Sequence, residues 1–169
     1  MCLIVDTNCL SAVFDKEAVN HNEFEPVIEW IYNGRGKIVY GGTKYLGELK
    51  NKYLAIYLQL RKAGKAEYVD CNLVDAEEIV VSNMIQHNNF DDQHLVALLR
   101  VSGCKIICSL DQRAYPYFRH RLFFSPAARR PKIYSSSGNA DLLCPENIAD
   151  ICKPCDNTTN VQKKLLGLI

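Results

Sequence analysis

Short apolar runs alternate with segments of helical periodicity along most of the chain. Four of these runs predict strands: CLIV at 2–5, KIVYGG at 37–42, AEYVD at 66–70 and CKIICSLD at 104–111. The first and the last contain consecutive apolar residues, which is typical of strands covered on both faces in a parallel sheet. A fifth run, KIYSSS at 132–137, predicts an edge strand.

Between the strands, apolar residues recur at the spacing of amphipathic helices. The helical segments are CLSAVF, NEFEPVIEWIYNGRG, KYLGELKNKYLAIYLQLRKAG, DAEEIVVSNMIQ and DDQHLVALLRVSG. We expect the third segment to form one continuous helix capped by Thr43, and the fourth to begin near Asp75. Residues 160–169, NVQKKLLGLI, predict a terminal helix after a polar loop.

This alternation of strands and helices predicts an α/β fold with a mainly parallel sheet between helices. The 169 residues are enough for one domain with its own core. Because the pattern weakens after about residue 112, we predict one domain over 1–150 and a C-terminal appendage over 151–169.

Composition adds little to this picture. Apolar residues make up 48% of the chain and charged residues 23%, as in ordinary globular domains. The net charge is +1, so a surface that binds nucleic acid must be a local patch. Neither a secretory signal nor a membrane-spanning run is evident, and we expect a cytoplasmic protein whose eight cysteines are mostly reduced.

Acidic residues follow two of the predicted strands. Asp6 comes directly after the first strand, and Asp111 follows the run KIICSL. Ligands bind at the carboxyl ends of strands in open α/β sheets, so these two carboxylates meet if their strands are neighbours. Asp92 begins the helix that precedes the run KIICSL, and Glu48 lies one turn into the third helix. Four converging carboxylates repel one another unless a cation such as Mg²⁺ compensates their charge.

Four segments together resemble the motifs of PIN-domain ribonucleases: LIVDTNCL, TKYLGELK, DDQHLVALLRVSG and KIICSLDQRAYPYF. The resemblance covers residues 2 to about 118. It implies a three-layer α/β/α sandwich with an acidic cleft that binds Mg²⁺ or Mn²⁺ and hydrolyses RNA. Short members of the family are toxins of type II toxin–antitoxin pairs, so the resemblance also suggests a cognate antitoxin and a homodimer as partners.

The resemblance assigns roles by motif position. The catalytic carboxylates would be Asp6, Glu48, Asp92 and Asp111, and the first, third and fourth of these would bind the metal. Asn8 and Ser109 would be polar residues that contact the metal ligands rather than the metal, and Asp91 would assist Asp92 in the same way. His94, two residues after Asp92, is expected to be a packed or helix-surface histidine rather than a proton relay.

A basic stretch follows the last acid. Arg113 stands where family members often carry a further acid, which puts a second metal position in doubt. The arginines predicted to hold the phosphate backbone of RNA are Arg113, Arg119, Arg121, Arg129 and Arg130. Tyr115, Tyr117 and Phe118 could stack on bases of a single strand.

Other functions were weighed from the same residues. A phosphatase of haloacid-dehalogenase type also begins with a strand ending in aspartate, but it needs an aspartate where Asn8 stands. A catalytically silent PIN-like module that binds RNA or protein is the main alternative. CKPC at 152–155 has the spacing of half a zinc site, and no second pair is evident.

Overall fold

The computed structural model of the protein describes residues 2–87 and 90–169. Within these residues, five strands form one sheet in the order β3-β2-β1-β4-β5. They are β1 (Cys2–Val5), β2 (Lys37–Gly41), β3 (Ala66–Val69), β4 (Ile106–Cys108) and β5 (Lys132–Tyr134). Every pairing is parallel, so the predicted α/β class with a parallel sheet is confirmed.

Helices connect the strands as the alternating pattern predicts. The helices are α1 (Leu10–Phe14), α2 (His21–Tyr32), α3 (Thr43–Glu48), α4 (Asn51–Lys62), α5 (Cys71–Met84), α6 (Gln93–Ser102), α7 (Tyr115–Phe118) and α8 (Asn160–Leu165). No helix in the described ranges is long and apolar enough to cross a bilayer.

The helices cover both faces of the sheet in a three-layer α/β/α sandwich. The chain adds strands on one side of β1 as far as β3 and then crosses to β4 on the other side. Because parallel crossovers are right-handed, this reversal places α5 and α6 on the face opposite α1, α2 and α4. The ring of Phe14 in α1 lies 6.0 Å from that of Tyr57 in α4, as expected for helices on the same face.

The central strand β1 is fully buried. All four of its residues are 0% exposed, which explains why its sequence is apolar without alternation. At its carboxyl end, the hydroxyl of Tyr45 donates to the carbonyl oxygen of Val5 and lies 2.9 Å from the hydroxyl of Tyr57. These tyrosines hold the end of β1 against α3 and α4, and so fix the position from which Asp6 emerges.

The predicted third helix is two helices, and the continuous form was wrong. The chain is extended at Leu49 and Lys50, between α3 and α4. Gly47 weakens the end of α3, because glycine costs about 1 kcal/mol relative to alanine in a helix. Leu49 turns instead into the core, where it is 5% exposed. The break makes Glu48 the last residue of α3.

Two predicted helix starts were also wrong. The fourth helix begins at Cys71 and is capped by Asp70, which accepts a hydrogen bond from the Asn72 N–H at 2.8 Å. Asp75 lies inside that helix, and its carboxylate accepts hydrogen bonds from the N–H and hydroxyl of Thr43 at 2.8 and 2.6 Å. Thr43 is therefore the first residue of α3, and its N–H is satisfied by another helix.

The C-terminal residues 151–169 pack on the strand-and-helix unit. The hydroxyl of Thr158 donates to the carbonyl oxygen of Gly34 at 3.0 Å. The side-chain amide of Gln162 in α8 donates to the carbonyl oxygen of Ala63 at 2.8 Å, just beyond α4. Cys152 is buried and contacts Cys2 and Cys104.

Candidate active site

Asp6 lies where β1 ends, at the point where the strand order reverses. Its N–H donates to the carbonyl oxygen of Cys108 at 2.9 Å, so it continues the pairing of β1 with β4. Its carboxylate is only 4% exposed. The crevice at such a reversal is where open α/β sheets bind ligands.

Two side chains donate to the Asp6 carboxylate. The hydroxyl of Ser109 and the amide of Asn8 both donate to its Oδ2 atom, at 2.7 and 2.8 Å. Burial nevertheless raises the pKa of Asp6, and the negative charge of Glu48 adds to the shift against these hydrogen bonds. The two donors thus fix the orientation of the carboxylate, while burial disfavours its charged form.

The loop after β4 is tied to the same group of atoms. The N–H of Leu110 donates to Asn8 Oδ1 at 3.2 Å, and the N–H of Asp111 donates to the Ser109 hydroxyl at 3.2 Å. Asn8 and Ser109 therefore join the ends of β1 and β4.

Asp92 is the cap residue of α6, one position before its first helical residue. The helix α6 leads into β4 and runs antiparallel to the strands of the sheet. The start of α6 therefore lies at the carboxyl edge of the sheet. Burial raises the pKa of Asp92 to about 7, and three nearby carboxylates add to the shift. These belong to Asp6, Asp91 and Asp111. The structure thus brings the predicted aspartates within electrostatic reach of one another.

Glu48 reaches this group from the end of α3. Its Oε2 atom accepts a hydrogen bond from the Thr7 hydroxyl at 3.1 Å, and its Oε1 atom lies 3.5 Å from His94 Nε2. His94 is 1% exposed, and burial, together with Lys44, lowers its pKa to about 4. The histidine is therefore neutral near pH 7, and its contact with Glu48 is not an ion pair.

Lys44 is a site residue that the acid pattern did not reveal. Its ammonium group donates to the carbonyl oxygen of Asp91 at 2.6 Å. Its charge lowers the pKa values of Asp92 and His94, so it partly compensates the acidic cluster. Its position in the motif TKYLGELK, one residue into α3, was the available signal, but only the packing of α3 beside α6 shows where the side chain goes.

Asp111 is engaged by Arg113. Both carboxylate oxygens accept from the guanidinium group, at 3.1 Å from Nε and 2.8 Å from Nη2, and the Arg113 N–H adds a third hydrogen bond at 2.9 Å. These hydrogen bonds hold the pKa of Asp111 below its usual range, in contrast to Asp92. Asp111 therefore has its compensating cation already.

The other predicted RNA-binding arginines are exposed, at positions 119, 121, 129 and 130. Arg129 lines a different cavity, which also includes Ser102 and Gly103 at the far end of α6. Since α6 has ten residues at about 1.5 Å each, that end lies about 15 Å from Asp92. Arg129 therefore lies away from the acids, whereas Arg113 is bonded directly to Asp111.

The donors fit a divalent cation in kind, because carboxylate oxygens are the ligands that Mg²⁺ and Mn²⁺ prefer. Across residues 2–87 and 90–169, however, no three His, Cys, Asp or Glu side chains are grouped so that they could ligate one ion. The partners explain this, since Asp111 faces Arg113 and Glu48 faces Thr7. Asp111 is thus paired with Arg113, whereas Asp6 and Asp92 form no ion pair within the described residues.

Comparison with known proteins gives no match: no family model, no curated protein and no solved structure is significantly similar to the chain.

Proposed function

We propose that the protein is a metal-dependent endoribonuclease of PIN type that hydrolyses RNA phosphodiester bonds with Mg²⁺ or Mn²⁺. The observation that carries the proposal is the group formed by Asp6, Asp92 and Asp111 at the strand-order reversal. Mutual repulsion in a buried group is costly, and a function that needs a cation there accounts for its presence.

Each residue has a distinct task in this proposal. Asp6 and Asp92 would hold the cation, with Asp111 as a third ligand, and Ser109 and Asn8 keep the Asp6 carboxylate in one orientation. The cation, when bound, lowers the pKa of water and neutralises the charge that develops on the scissile phosphate. Glu48, positioned by Thr7 and neutral His94, orients the attacking water.

Arg113 supplies a phosphate contact beside the acids. With Asp111 as a cation ligand, the guanidinium group of Arg113 would be free to present its forked donors to two phosphate oxygens. Lys44 stays near Asp92 and limits the repulsion among the carboxylates. No protein nucleophile is needed.

The activity is tested with purified protein and a labelled single-stranded RNA. We expect cleavage with Mn²⁺ or Mg²⁺ and none in EDTA. Asp6→Asn should reduce the rate by at least about a thousandfold, as is usual when a group essential to transition-state stabilisation is lost. The matched control is Asp141→Asn, an exposed aspartate in the 3₁₀ helix Ser137–Leu142 outside the site, which should cleave normally. Cleavage that persists in EDTA would exclude the metal mechanism.

The ion pair of Asp111 with Arg113 favours a second candidate, the silent module that binds RNA or protein. In that case Arg113 would compensate Asp111 permanently, and no cation would bind. Titration with Mn²⁺, followed by its paramagnetic resonance signal, separates the two. Binding that Asp92→Asn removes supports the nuclease, and RNA binding without any Mn²⁺ binding supports the module.

The resemblance extends the proposal to a cytoplasmic toxin that an antitoxin protein holds inactive, with a homodimer as the toxin's own assembly. Induced expression in a bacterial host tests this role. Growth arrest by the wild type, with none from Asp6→Asn at equal protein level, is the expected result. Normal growth with active enzyme present would remove the toxin role and leave the nuclease proposal intact.

A further inference from the structure

A cavity of about 500 Å³ opens beside the acidic group. Its lining includes Ile85, His87, Asp91, Arg113, Tyr117 and His120. Two of these, Asp91 and Arg113, connect it directly to the site, because Asp91 precedes Asp92 in the chain and Arg113 holds Asp111. The volume lies within the range of about 300–1,000 Å³ usual for small-molecule sites.

Tyr117, which lines the cavity, belongs to a fixed aromatic stack. The ring of Tyr117 lies 4.3 Å from that of Phe90 at an angle of 15°, and Phe90 lies 5.5 Å from Phe123. Both phenylalanines are 3% exposed, so the stack is anchored in the core. The Tyr117 hydroxyl is also held, 3.0 Å from His87 Nδ1. A rigid ring presented at a cavity is the surface on which unpaired bases stack.

The polar groups of the cavity are of both kinds. Asp91 offers carboxylate oxygens as acceptors, and Arg113 offers donors. Nδ1 of His120 accepts from the Leu122 N–H at 3.3 Å, so the proton of the neutral ring lies on Nε2, which is then a donor. Guanine matches this set, because it has donors at N1 and N2 on one edge and acceptors at O6 and N7 on another.

We propose that this cavity binds an unpaired guanine of the RNA substrate next to the phosphate that is cut. The base stacks on Tyr117, the Asp91 carboxylate accepts from its N1 and N2 groups, and His120 donates to its acceptor edge. Because Arg113 spans from the cavity to Asp111, the backbone of this nucleotide leads to the acidic group. The proposal rests on the proposed ribonuclease function for its substrate, and it assigns the base that the site selects.

Binding without metal tests the cavity separately from catalysis. The probes are fluorescein-labelled RNAs of seven nucleotides, one of uridine only and three with a central G, A or C, in buffer with EDTA. We expect the G-containing RNA to bind about tenfold more tightly than the uridine-only RNA, as one well-placed base contact allows.

Two variants test the cavity in different ways. Ile85→Trp fills it, and His120→Ala removes a donor. Each should reduce binding of the G-containing RNA to the level of the uridine-only RNA, while binding of the latter changes less than about twofold. The control is Val19→Trp, an equally large change at a residue that is 99% exposed and lines another cavity. Circular dichroism and thermal melting show that each variant is folded.

The outcomes separate the two proposals. Equal affinity for all four RNAs, or unchanged G preference in both variants, overturns the cavity assignment. RNA cleavage with Mn²⁺ at sites that show no flanking guanine also overturns it but leaves the nuclease proposal standing. A preference for guanine without any cleavage supports the cavity and contradicts the nuclease. Equal affinity without cleavage rejects both.

Discussion

At their amino ends, the neighbouring strands β1 and β4 begin among thiols, and at their carboxyl ends they run into acids. Cys2 opens β1, and Cys104 lies two residues before β4, with the two sulfur atoms 3.7 Å apart and both residues at most 2% exposed. At the other end, Asp6 is nearly as well buried at 4%, and its pKa is raised by that burial.

The difference shows how one sheet supplies both stability and chemistry. Small thiols at the amino edge cost little to bury and pack closely with Cys152 from the C-terminal segment. At the carboxyl edge, the buried Asp6 carboxylate opposes folding when charged, and Ser109 and Asn8 reduce that cost by donating to it. The loss of stability is thereby confined to the edge where a ligand can compensate it.

The largest effect is expected from moving an acid to the thiol edge. Cys104→Asp should lower the free energy of unfolding by about 3–5 kcal/mol, because the neighbouring Ser102 hydroxyl already donates to the carbonyl oxygen of Leu98 and would leave the buried charge poorly satisfied. Urea denaturation at pH 8 measures this. Cys104→Ala is the control and should cost only about 1 kcal/mol. An aspartate tolerated at position 104 would show that the two edges do not differ as described.

Asp92→Asn should raise the free energy of unfolding, whereas Cys104→Asp should lower it. The folded-state pKa of about 7 lies above the ordinary 3.8, so the proton on Asp92 stabilises the fold fully below 3.8 and this contribution is lost as pH rises through 7. At pH 8 in EDTA the variant should therefore be more stable than the wild type by about 1–2 kcal/mol after solvent screening. Thermal melts from pH 4 to 8 check it. Equal pH dependence in both proteins would contradict the assigned shift.

Ser109→Ala tests the support of Asp6. Removing the donor at 2.7 Å should raise the pKa of Asp6 further and cost about 1 kcal/mol of stability at pH 8. Carboxyl carbon chemical shifts followed by NMR across the titration give the pKa directly. Ser135→Ala, near the end of β5, is the control and should leave the Asp6 titration unchanged.

Arg113→Ala should hardly change the melting temperature, because the arginine side chain is 81% exposed. It should raise the pKa of Asp111 to its ordinary range and tighten Mn²⁺ binding by about threefold to tenfold, since the competing cation is gone. Calorimetric titration with Mn²⁺ measures the affinity. Weaker Mn²⁺ binding in the variant would mean that Arg113 supports the cation site instead of competing with it.

Local sequence predicted the strands well because their signal is local. The run at 2–5 is apolar throughout, and all four of its residues are buried in β1. Helix boundaries were less accurate. The break at Leu49 and the start at Cys71 depend on what Leu49 and Asp75 contact elsewhere in the fold, which periodicity does not record.

For the candidate site, the sequence indicated the acids, while only the tertiary structure showed which side chains contact them. Asp6 and Asp111 followed predicted strands, and the motif resemblance added Asp92 and Glu48. Tyr117 was among the aromatic residues predicted to stack on bases, but Lys44 and Phe90 were not recognisable as site elements, because their neighbours are distant in the chain.

By itself, the sequence determined the alternation of strands and helices and placed acids directly after two of the strands, since hydrophobic spacing and chain order are local properties. Only the tertiary structure decided that β1 and β4 are neighbours, that the half-buried Asp92 lies near Asp6, and that Arg113 binds Asp111. Those outcomes depend on which side of β1 the fourth strand is added and on how burial shifts the pKa values of the carboxyl groups. Both are set by residues brought together from distant segments.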